Sequence, residues 1–406
     1  MKATAKFNRP ASKTFHAVTH VWGREYLDLF LNVCIPNQLA PGNLPALPPG
    51  SRYRILTSSL HVGELDAHPM VHVLRDVIPV DIVVVEALDR VNRATRGHDL
   101  MIACHQRALA DVLEANAAII MLSADFVFSE NALAAVVRRH REGYRAVVNT
   151  GLRLAKEPFL RQLDDSGASL AALSSRELVR MGLPHLHSHE QSMFADARPF
   201  SLFPVAVYWR VGDQGLLARC LHLHPLMVDP LTSASLRGSN DGRYVQRVCP
   251  DPATVHVVAD SDELQMFELT RAQRTVLPSR GAGASTWRTA AVAATCDRLQ
   301  LGYFRHQTIR VHAGDFDDRW TVAALASDAF AGRVVNLLPY GRALRRYFVF
   351  LEHTRQRRDR YRRVWRRTRP DIRLKQMVRP VRLTMHRSAK MLRKTTRRVL
   401  RQVAAR

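Results

Sequence analysis

Several common signatures are missing from this chain of 406 residues. It contains no G-x-G-x-x-G, no Walker A segment and no G-x-S-x-G, which argues against dinucleotide oxidoreductases, P-loop NTPases and α/β-hydrolases. It has only five cysteines and no C-x-x-C pair. This argues against a disulfide framework and favours reduced, buried thiols in a cytosolic setting.

Long apolar runs are missing as well. No stretch approaches about 18 consecutive apolar residues, so no transmembrane helix is predicted. Four basic residues near the N-terminus have no apolar segment behind them, so we expect no signal peptide; they are Lys2, Lys6, Arg9 and Lys13. The sequence therefore predicts a cytoplasmic protein.

The positive charge is concentrated at one end of the chain. Residues 341–406 contain 24 Lys and Arg but only three acids, a net charge of +21 out of a total of +24. The rest of the chain is nearly neutral, and 47% of all residues are hydrophobic, enough for a large core. We therefore divide the chain into a loose N-terminus (1–13), a folded domain (14–335) and a basic helical tail (341–406).

The chain is organised around the segment 117–129. Residues 117–122 are small or apolar and carry no charge, which is typical of a strand buried on both faces of a parallel sheet. A helix is predicted at 130–141, with Ser129 as its N-cap. Asp125 would then lie just beyond the carboxyl end of a central strand, where open α/β sheets bind ligands. The alternative is an aspartate that caps a turn or a helix.

Strands and helices alternate through the first part of the domain. This pattern predicts an α/β fold with a mostly parallel central sheet and flanking helices. The predicted strands are 15–22, 54–57, 81–85, 117–122 and 146–149, and helices are predicted at 25–34, 70–78 and 96–115.

The rhythm changes beyond about residue 155. A smaller mixed region is predicted from strands at 202–209, 215–225 and 255–263, after a loop rich in histidine, and a helix is predicted at 318–340. We therefore divide the folded domain into halves at 14–155 and 156–335.

The order of these elements resembles the nucleotide-sugar glycosyltransferases of the GT-A fold, family 2-like, over residues 14–225. In that family a D-x-D pair after a later strand holds a divalent metal, and an early strand–loop–helix binds the nucleotide base. Here the pair reads Ser123-Ala124-Asp125, so its first carboxylate is replaced by a hydroxyl. The resemblance implies that Ser123 and Asp125 contact the donor and that Mn²⁺ or Mg²⁺ is the metal. It also implies that Trp22 stacks on the base, although Trp22 could equally belong to the core.

Two histidines alternate in Leu221-His222-Leu223-His224. On a strand, both imidazoles would lie on one face about 7 Å apart, suited to converging on a metal. The resemblance implies that His222 or His224 completes a metal site with Asp125. The alternative is a pair of half-buried histidines with ordinary hydrogen bonds.

Carboxylates also follow a later predicted strand. Asp260 and Asp262 are candidates for a general base or for further metal ligands, and a solvated loop is the alternative. Asp241 lies in a turn by composition and is a weaker candidate base.

The basic tail allows three interpretations. Its Arg residues with interleaved Tyr and Trp could lie on an anionic bilayer, grip nucleic acid, or form a solvated arm. The first is favoured, because Leu344, Tyr347, Phe348 and Leu351 share one helical face at its start.

Together these features predict a glycosyltransferase at the cytoplasmic face of a membrane. It would move a sugar from a nucleotide diphosphate donor to a glycan or lipid-linked acceptor. The alternatives are a nucleic-acid-binding protein that acts through its tail, and a GT-A-like assembly partner without catalysis.

Overall fold

Strands and helices alternate along the folded chain, as the sequence predicts. The computed structural model describes residues 13–90, 97–232, 243–274, 279–352 and 354. The chain divides into two units, Met1–Arg345 and Arg346–Arg406. Nearly all of the second unit, including most of the basic tail, lies outside the described residues.

The described elements run through the first unit in the following order. The strands are β1 (Phe15–His20), β2 (Arg52–Thr57), β3 (Val80–Val84), β4 (Ala118–Met121), β5 (Phe126–Phe128), β6 (Ala146–Asn149), β7 (Leu152–Ala155), β8 (Ala206–Val211), β9 (Gly215–Cys220), β10 (His224–Val228), β11 (Val255–Val257), β12 (Met266–Thr270) and β13 (Ile309–His312). The helices are α1 (Arg24–Leu29), α2 (Ile35–Gln38), α3 (Val62–Ala67), α4 (Pro69–Val77), α5 (Glu86–Asp89), α6 (Gly97–Glu114), α7 (Ala132–Arg141), α8 (Lys156–Ser166), α9 (Ser175–Gly182), α10 (Ser188–Gln191), α11 (Tyr244–Val248), α12 (Thr286–Ala293), α13 (Arg298–His306) and α14 (Asp318–Leu337).

The central sheet has seven strands in the order β11-β6-β10-β4-β1-β2-β3. All neighbours are parallel except β10, which runs antiparallel to both β4 and β6. The α/β class with a mostly parallel sheet and flanking helices is thus confirmed. All four residues of β4 are buried, which explains why its sequence is continuously apolar.

Helix α6 covers the middle of this sheet and contacts β1 and β4. Its buried residues recur at helical spacing on one face and include Leu100, Cys104, Ala108 and Val112. Most of the core is one large cluster that extends from Phe15 in β1 to Val334 in α14, and a small second cluster includes Leu217 and Trp320.

Two three-stranded sheets flank the main one. The first has the order β5-β12-β7, and the second has the order β13-β9-β8. In the first, β12 pairs antiparallel with β5 and parallel with β7. Strand β5 of this sheet follows β4 after a short connection, which contains Ser123 and Asp125.

Three local predictions are wrong. The strand predicted at 255–263 in the smaller mixed region is β11, which ends at Val257 and belongs to the main sheet. Ser129 does not cap α7, because that helix begins two residues later, after Asn131 in a left-handed conformation (φ 61°). The Ser129 hydroxyl instead accepts a hydrogen bond from the Gln265 amide at 3.1 Å. The predicted strand at 215–225 is in fact two, because β9 ends at Cys220 and β10 begins at His224. His222 and His224 therefore do not alternate on one strand.

The C-terminal part of the described chain is helical. By length and composition alone, one helix, Asp318–Glu352, would be able to cross a membrane. No such helix was predicted, since charges interrupt its apolar residues. Part of it has another explanation, because Trp320, Phe330 and Val334 of α14 are buried in the cores of the folded unit.

Candidate functional site

The strand order reverses at β1, which pairs in parallel with β2 on one side and with β4 on the other. In open α/β sheets, such a switch point leaves a crevice beyond the carboxyl ends of the two strands, and ligands bind there. Trp22 follows β1 and is half-buried, while Ser123 and Asp125 follow β4. The structure therefore places three predicted donor-binding residues at one edge of the sheet.

Asp125 is held in a short turn between two strands. Leu122 continues the ladder by donating to Val18 O at 2.9 Å, and the Asp125 carbonyl accepts from the Leu269 amide at 2.8 Å. The residue is 7% exposed, and its Oδ1 has no hydrogen-bond partner among the described residues. Burial, reinforced by the Glu268 carboxylate, raises the pKa of Asp125 to about 7 against the opposing effects of Ser123 and Arg153. A buried carboxylate oxygen without a partner calls for a cation or a donor.

Two more carboxylates lie beside Asp125 around one guanidinium, and we call Asp125, Arg153, Glu190 and Glu268 the Arg153 cluster. Arg153 in β7 and Glu268 in β12 are register partners, with Nε 2.9 Å from Oε1. Arg153 Nη1 lies 3.7 Å from Glu190 Oε1 in α10. Three acids thus share one arginine, so the cluster carries excess negative charge when all are ionised.

Glu190 is 1% exposed. The Tyr208 hydroxyl donates to its Oε2 at 2.7 Å. Burial raises the pKa of Glu190 to about 7, although Arg153 and Tyr208 act to lower it. A carboxyl group with a pKa near neutrality can both accept and release a proton under physiological conditions.

Three cations and one acid lie at the rim of this cluster. Lys156, directly after β7, and Arg271, directly after β12, both pair with Glu25 of α1. Arg274 Nη1 donates to the Tyr26 hydroxyl at 3.0 Å. Burial raises the pKa of the Tyr26 phenol, and the charge of the nearby Asp125 carboxylate adds to this effect. We call Lys156, Arg271 and Arg274 the rim cations, and their charges suit a phosphate-bearing ligand.

The two histidines predicted as metal ligands have different surroundings. His224 Nε2 lies 3.0 Å from Met121 O at the end of β4, and its ring meets Phe126 edge-on at 5.0 Å. His222 lies near Asp297, whose pKa it acts to lower. Their joint metal site with Asp125 stays a prediction, and the strand geometry that suggested it is wrong.

His224 instead adjoins two other buried imidazoles. The rings of His20 and His105 meet at right angles with centroids 5.0 Å apart. Burial lowers the pKa of His20 to about 4, and the nearby His224 adds to this effect. The pKa of His105 is lowered for the same reasons. The His20 and His105 imidazoles are therefore neutral at physiological pH, and the His20 ring centroid lies 5.5 Å from that of Trp22.

The predicted catalytic acids lie elsewhere. Because β12 runs antiparallel to β5, Glu268 lies beside Phe126 and Met266 lies beside Phe128. Asp125 and Glu268 are therefore at one end of this strand pair, whereas Asp260 and Asp262 precede its other end. Both contact His312 and not the residues of the Arg153 cluster given above. Asp241 lies outside the described residues.

Sequence reasoning missed Arg153, Glu190 and Glu268. A signal was present for Glu268, which is a lone acid within the apolar strand Met266–Thr270. Glu190 was hidden in a segment rich in histidine, where His187 caps α10 by accepting from the His189 amide at 3.1 Å.

Open cavities lie away from Asp125. One, of about 420 Å³, is lined by His16, Arg52, Arg54 and the acids near them, at the amino ends of β1 and β2. Another, of about 270 Å³, is lined by Ser175, Arg176 and Asp262 among others. Asp125 is not among the lining residues of either cavity.

The donors around Asp125 fit a hard divalent cation. Carboxylate oxygens of Asp125 and Glu268 and the hydroxyl of Ser123 are the kinds of ligand that Mn²⁺ and Mg²⁺ prefer. The buried Oδ1 without a partner supports this assignment.

Comparisons with known proteins do not assign this chain to a family. No family model matches the chain, and no curated protein matches it. Among solved structures, the chain is similar to a mannosyltransferase from Pyrobaculum calidifontis in complex with GDP-Man and Mn²⁺. The identity is 9%, the TM-score is 0.32, and the match covers 82% of this chain and 74% of that chain. A TM-score this low does not establish a shared fold, so the functional conclusion rests on the geometry above.

Proposed function

We propose that the chain is a GT-A-like glycosyltransferase that moves a sugar from a nucleotide diphosphate donor to a hydroxyl of a glycan or lipid-linked acceptor. One observation carries the proposal: a buried carboxylate oxygen without a partner, on Asp125, lies at the switch point of a parallel sheet. The Arg153 cluster and the rim cations beside it supply the charges that such a transfer needs.

The donor would lie across the crevice between β1 and β4. Trp22 would stack on the base, and the diphosphate would lie between Asp125 and the rim cations. Asp125, with Ser123 and Glu268, would hold Mn²⁺ or Mg²⁺, and the ion would supply positive charge against the diphosphate. Lys156, Arg271 and Arg274 would neutralise the charge that develops on the leaving diphosphate, the largest electrostatic contribution expected in this reaction.

Glu190 is the proposed general base. The acceptor oxygen would attack the anomeric carbon while the bond from that carbon to the phosphate oxygen breaks, and the electron pair would leave with the diphosphate. The proton of the acceptor hydroxyl would pass to Glu190, whose pKa of about 7 suits it to this task. Tyr208 and Arg153 hold the carboxylate in place on its two oxygens.

The test is a thermal-shift panel of UDP-, GDP- and CDP-sugars with the full chain, each with and without Mn²⁺. A ligand that binds only the folded state raises the melting temperature by mass action. We expect at least one donor to raise it in a Mn²⁺-dependent way. Asp213→Asn, which changes an exposed acid, is the matched control and should behave like the wild type.

Asp125→Asn should lose the donor-dependent shift. If no donor shifts the wild type, or if the variant responds equally, the glycosyltransferase proposal is wrong. If donors bind but no acceptor supports turnover or donor hydrolysis, the catalytically inactive assembly partner is the better description.

The proposal also places the protein at the cytoplasmic face of a membrane. The support is the net charge of +21 in residues 341–406 and the apolar residues with which that segment begins. Tyr347, Val349, Phe350 and Leu351 are all exposed in the described part of the helix. Arginines near an anionic bilayer contribute about 1 kcal/mol each, and exposed aromatic and aliphatic side chains add insertion into the interface.

A further inference from the structure

A second group of metal-binding side chains lies apart from Asp125, where β11 and β13 approach each other. It consists of Asp260 and Asp262, in the loop that follows β11, and His312 at the end of β13. The Ser261 amide donates to Arg310 O at 2.9 Å, and the His312 amide donates to Ser261 Oγ at 3.0 Å. These bonds fix the two segments against each other independently of the three side chains.

The ligand atoms are already close enough to share an ion. His312 Nε2 lies 2.8 Å from Asp260 Oδ1 and 3.8 Å from Asp262 Oδ1, and all three atoms lie within 4.8 Å of one another. Ligands about 2.1 Å from one cation lie roughly 3 to 4 Å apart. The spacing of the three atoms is therefore close to that of the ligands of one cation.

The imidazole is oriented for coordination. His312 Nδ1 lies 2.6 Å from Gly314 O, so its N–H donates to that carbonyl, and Nε2 donates to Asp260 Oδ1 at 2.8 Å. A cation at this position would replace the Nε2 proton and use the lone pair that it leaves. The side chain is 1% exposed, and Phe316 and Trp320 pack on its ring. A backbone carbonyl behind a buried histidine is a common second contact of metal sites.

Two arginines hold the outer sides of the aspartates. Arg310 Nη2 lies 3.2 Å from Asp260 Oδ2, and Arg176 Nη2 lies 2.8 Å from Asp262 Oδ2. Arg176 Nε also donates to Asp262 Oδ1 at 3.0 Å, and the Asp262 amide donates to Asp260 Oδ1 at 3.0 Å. The arginines offset the carboxylate charge, which disfavours Mg²⁺ and Ca²⁺ and leaves the imidazole to favour a transition metal.

The site also has room for another ligand. Asp262 and Arg176 line the cavity of about 270 Å³ at the start of α9. Two carboxylates, one imidazole and an open position are the ligand set of a zinc site that keeps an exchangeable water. The geometry points to a Zn²⁺-class site formed by Asp260, Asp262 and His312, separate from the Asp125 site and independent of the proposed function.

The test uses the full chain, freed of metal with EDTA and titrated with ZnCl₂ by calorimetry. Asp262→Asn removes one ligand oxygen at a side chain that is 42% exposed, so the fold should survive. Asp315→Asn is the matched control, because it removes the other carboxylate that pairs with Arg176 and leaves the three ligands intact. The chain has 18 histidines, so weaker binding events common to all variants are expected.

We expect one tight event of unit stoichiometry in the wild type, in Asp315→Asn and in Asp125→Asn. In Asp262→Asn its affinity should fall at least about tenfold, as losses around metal sites generally do. The zinc-induced rise in melting temperature should fall with it. An isotherm and a melting shift that are the same in Asp262→Asn as in the wild type would show that the cluster is an ion-pair network only, and would overturn the proposal.

Discussion

The Arg153 guanidinium lies 2.9 Å from Glu268 across two paired strands that belong to segments 115 residues apart in the chain. The same arginine is the cation nearest to Glu190 and acts to lower the pKa of Asp125. One positive charge therefore serves three carboxylates, two of which have pKa values of about 7. The site is arranged to gain stability from an added cation or from protons.

Asp125→Asn should make the apoprotein more stable at high pH while it abolishes donor binding. The folded pKa of about 7 is above the ordinary 3.8, so ionisation opposes folding. The wild type therefore loses stability as pH rises from about 4 to about 7, and the loss levels off above that. Asparagine removes this loss, which at pH 8 is on the order of 4 kcal/mol for a pKa raised from 3.8 to about 7. Urea unfolding at pH 5 and pH 8 measures it. A variant less stable than the wild type at pH 8 would contradict the assigned burial penalty.

Arg153→Gln should destabilise the fold, because it leaves buried carboxylates without their cation. The expected loss is about 3 kcal/mol at pH 8. The loss should shrink at pH 5, where Asp125 and Glu190 are protonated. The matched control is Arg52→Gln, which breaks an exposed pair with Asp81 and should change stability by less than about 1 kcal/mol. Equal losses in the two variants, or a loss that does not depend on pH, would show that Arg153 does not neutralise the cluster.

Glu190→Gln should separate proton transfer from donor binding. Because the amide cannot accept the acceptor's proton, transfer should slow by about 100-fold or more. The donor-dependent melting shift should persist, since Glu190 is not placed at the diphosphate. Tyr208→Phe removes only the hydroxyl that holds the carboxylate, and it should slow transfer less. Loss of donor binding together with turnover in Glu190→Gln would assign this residue to the donor pocket instead.

Asp229 provides a test of the fold alone. Its carboxylate is fully buried, 2.7 Å from Lys13 Nζ, 3.1 Å from Arg145 Nη2 and 3.3 Å from His140 Nε2. Burial acts to raise its pKa, but these partners outweigh it and lower the pKa below 3.8. The pairing therefore stabilises the fold above about pH 4 and is lost as pH falls further.

Asp229→Asn should thus cost about 3 kcal/mol at pH 7. The difference from the wild type should narrow as the pH falls below about 4. Denaturant unfolding across this range gives both values. Asp81→Asn, at an exposed pair, is the control. A difference that stays constant with pH would mean that asparagine disturbs packing and not charge.

Removal of the basic tail should abolish membrane binding. The first unit, Met1–Arg345, has its own core and should fold after truncation. Full-length protein should bind anionic liposomes less strongly as salt rises, because charges are screened over about 8 Å at physiological ionic strength. A part of the binding should resist salt through apolar insertion. Co-sedimentation over a salt series measures both parts.

Nucleic acid distinguishes the alternative role of the tail. If the tail binds nucleic acid, the logarithm of its affinity for RNA or DNA should fall linearly with the logarithm of the salt concentration, and no binding should resist salt. Full-length protein that retains RNA or DNA tightly but ignores liposomes at low salt would exclude the membrane role and favour nucleic acid.

The sequence predicts the sheet better than the site. Buried parallel strands are continuously apolar, so β1 and β4 and the position of Asp125 beyond β4 can be located by pattern alone. Arg153, Glu190 and Glu268 lie on separate elements. The pairing of β7 with β12 and the packing of α10 on β7 bring them together. Glu268 is a lone acid in an apolar strand, but its pairing with Arg153 leaves no local trace in the sequence, so their meeting beside Asp125 could not be predicted.

The histidine prediction failed for a related reason. Alternation predicts one face only if the segment is a single strand, and the chain turns between Cys220 and His224. Strand β9 belongs to a small sheet and β10, which begins at His224, belongs to the main one, while His222 lies in the connection between them. His224 then meets His20 and His105, which come from distant parts of the sequence.

Strand β10 also constrains how the protein is made. It lies between β4 and β6, and among the described strands β11 pairs with β6 alone. Strand β10 therefore joins β6 and β11 to the other four strands of the sheet. Residues 224–228 must therefore emerge from the ribosome before the first four strands can join β6 and β11. Until then, the edge of β4 is open for pairing with another chain. Nascent chains stalled near residue 200 should accordingly depend on chaperones, whereas chains stalled beyond β13 should not.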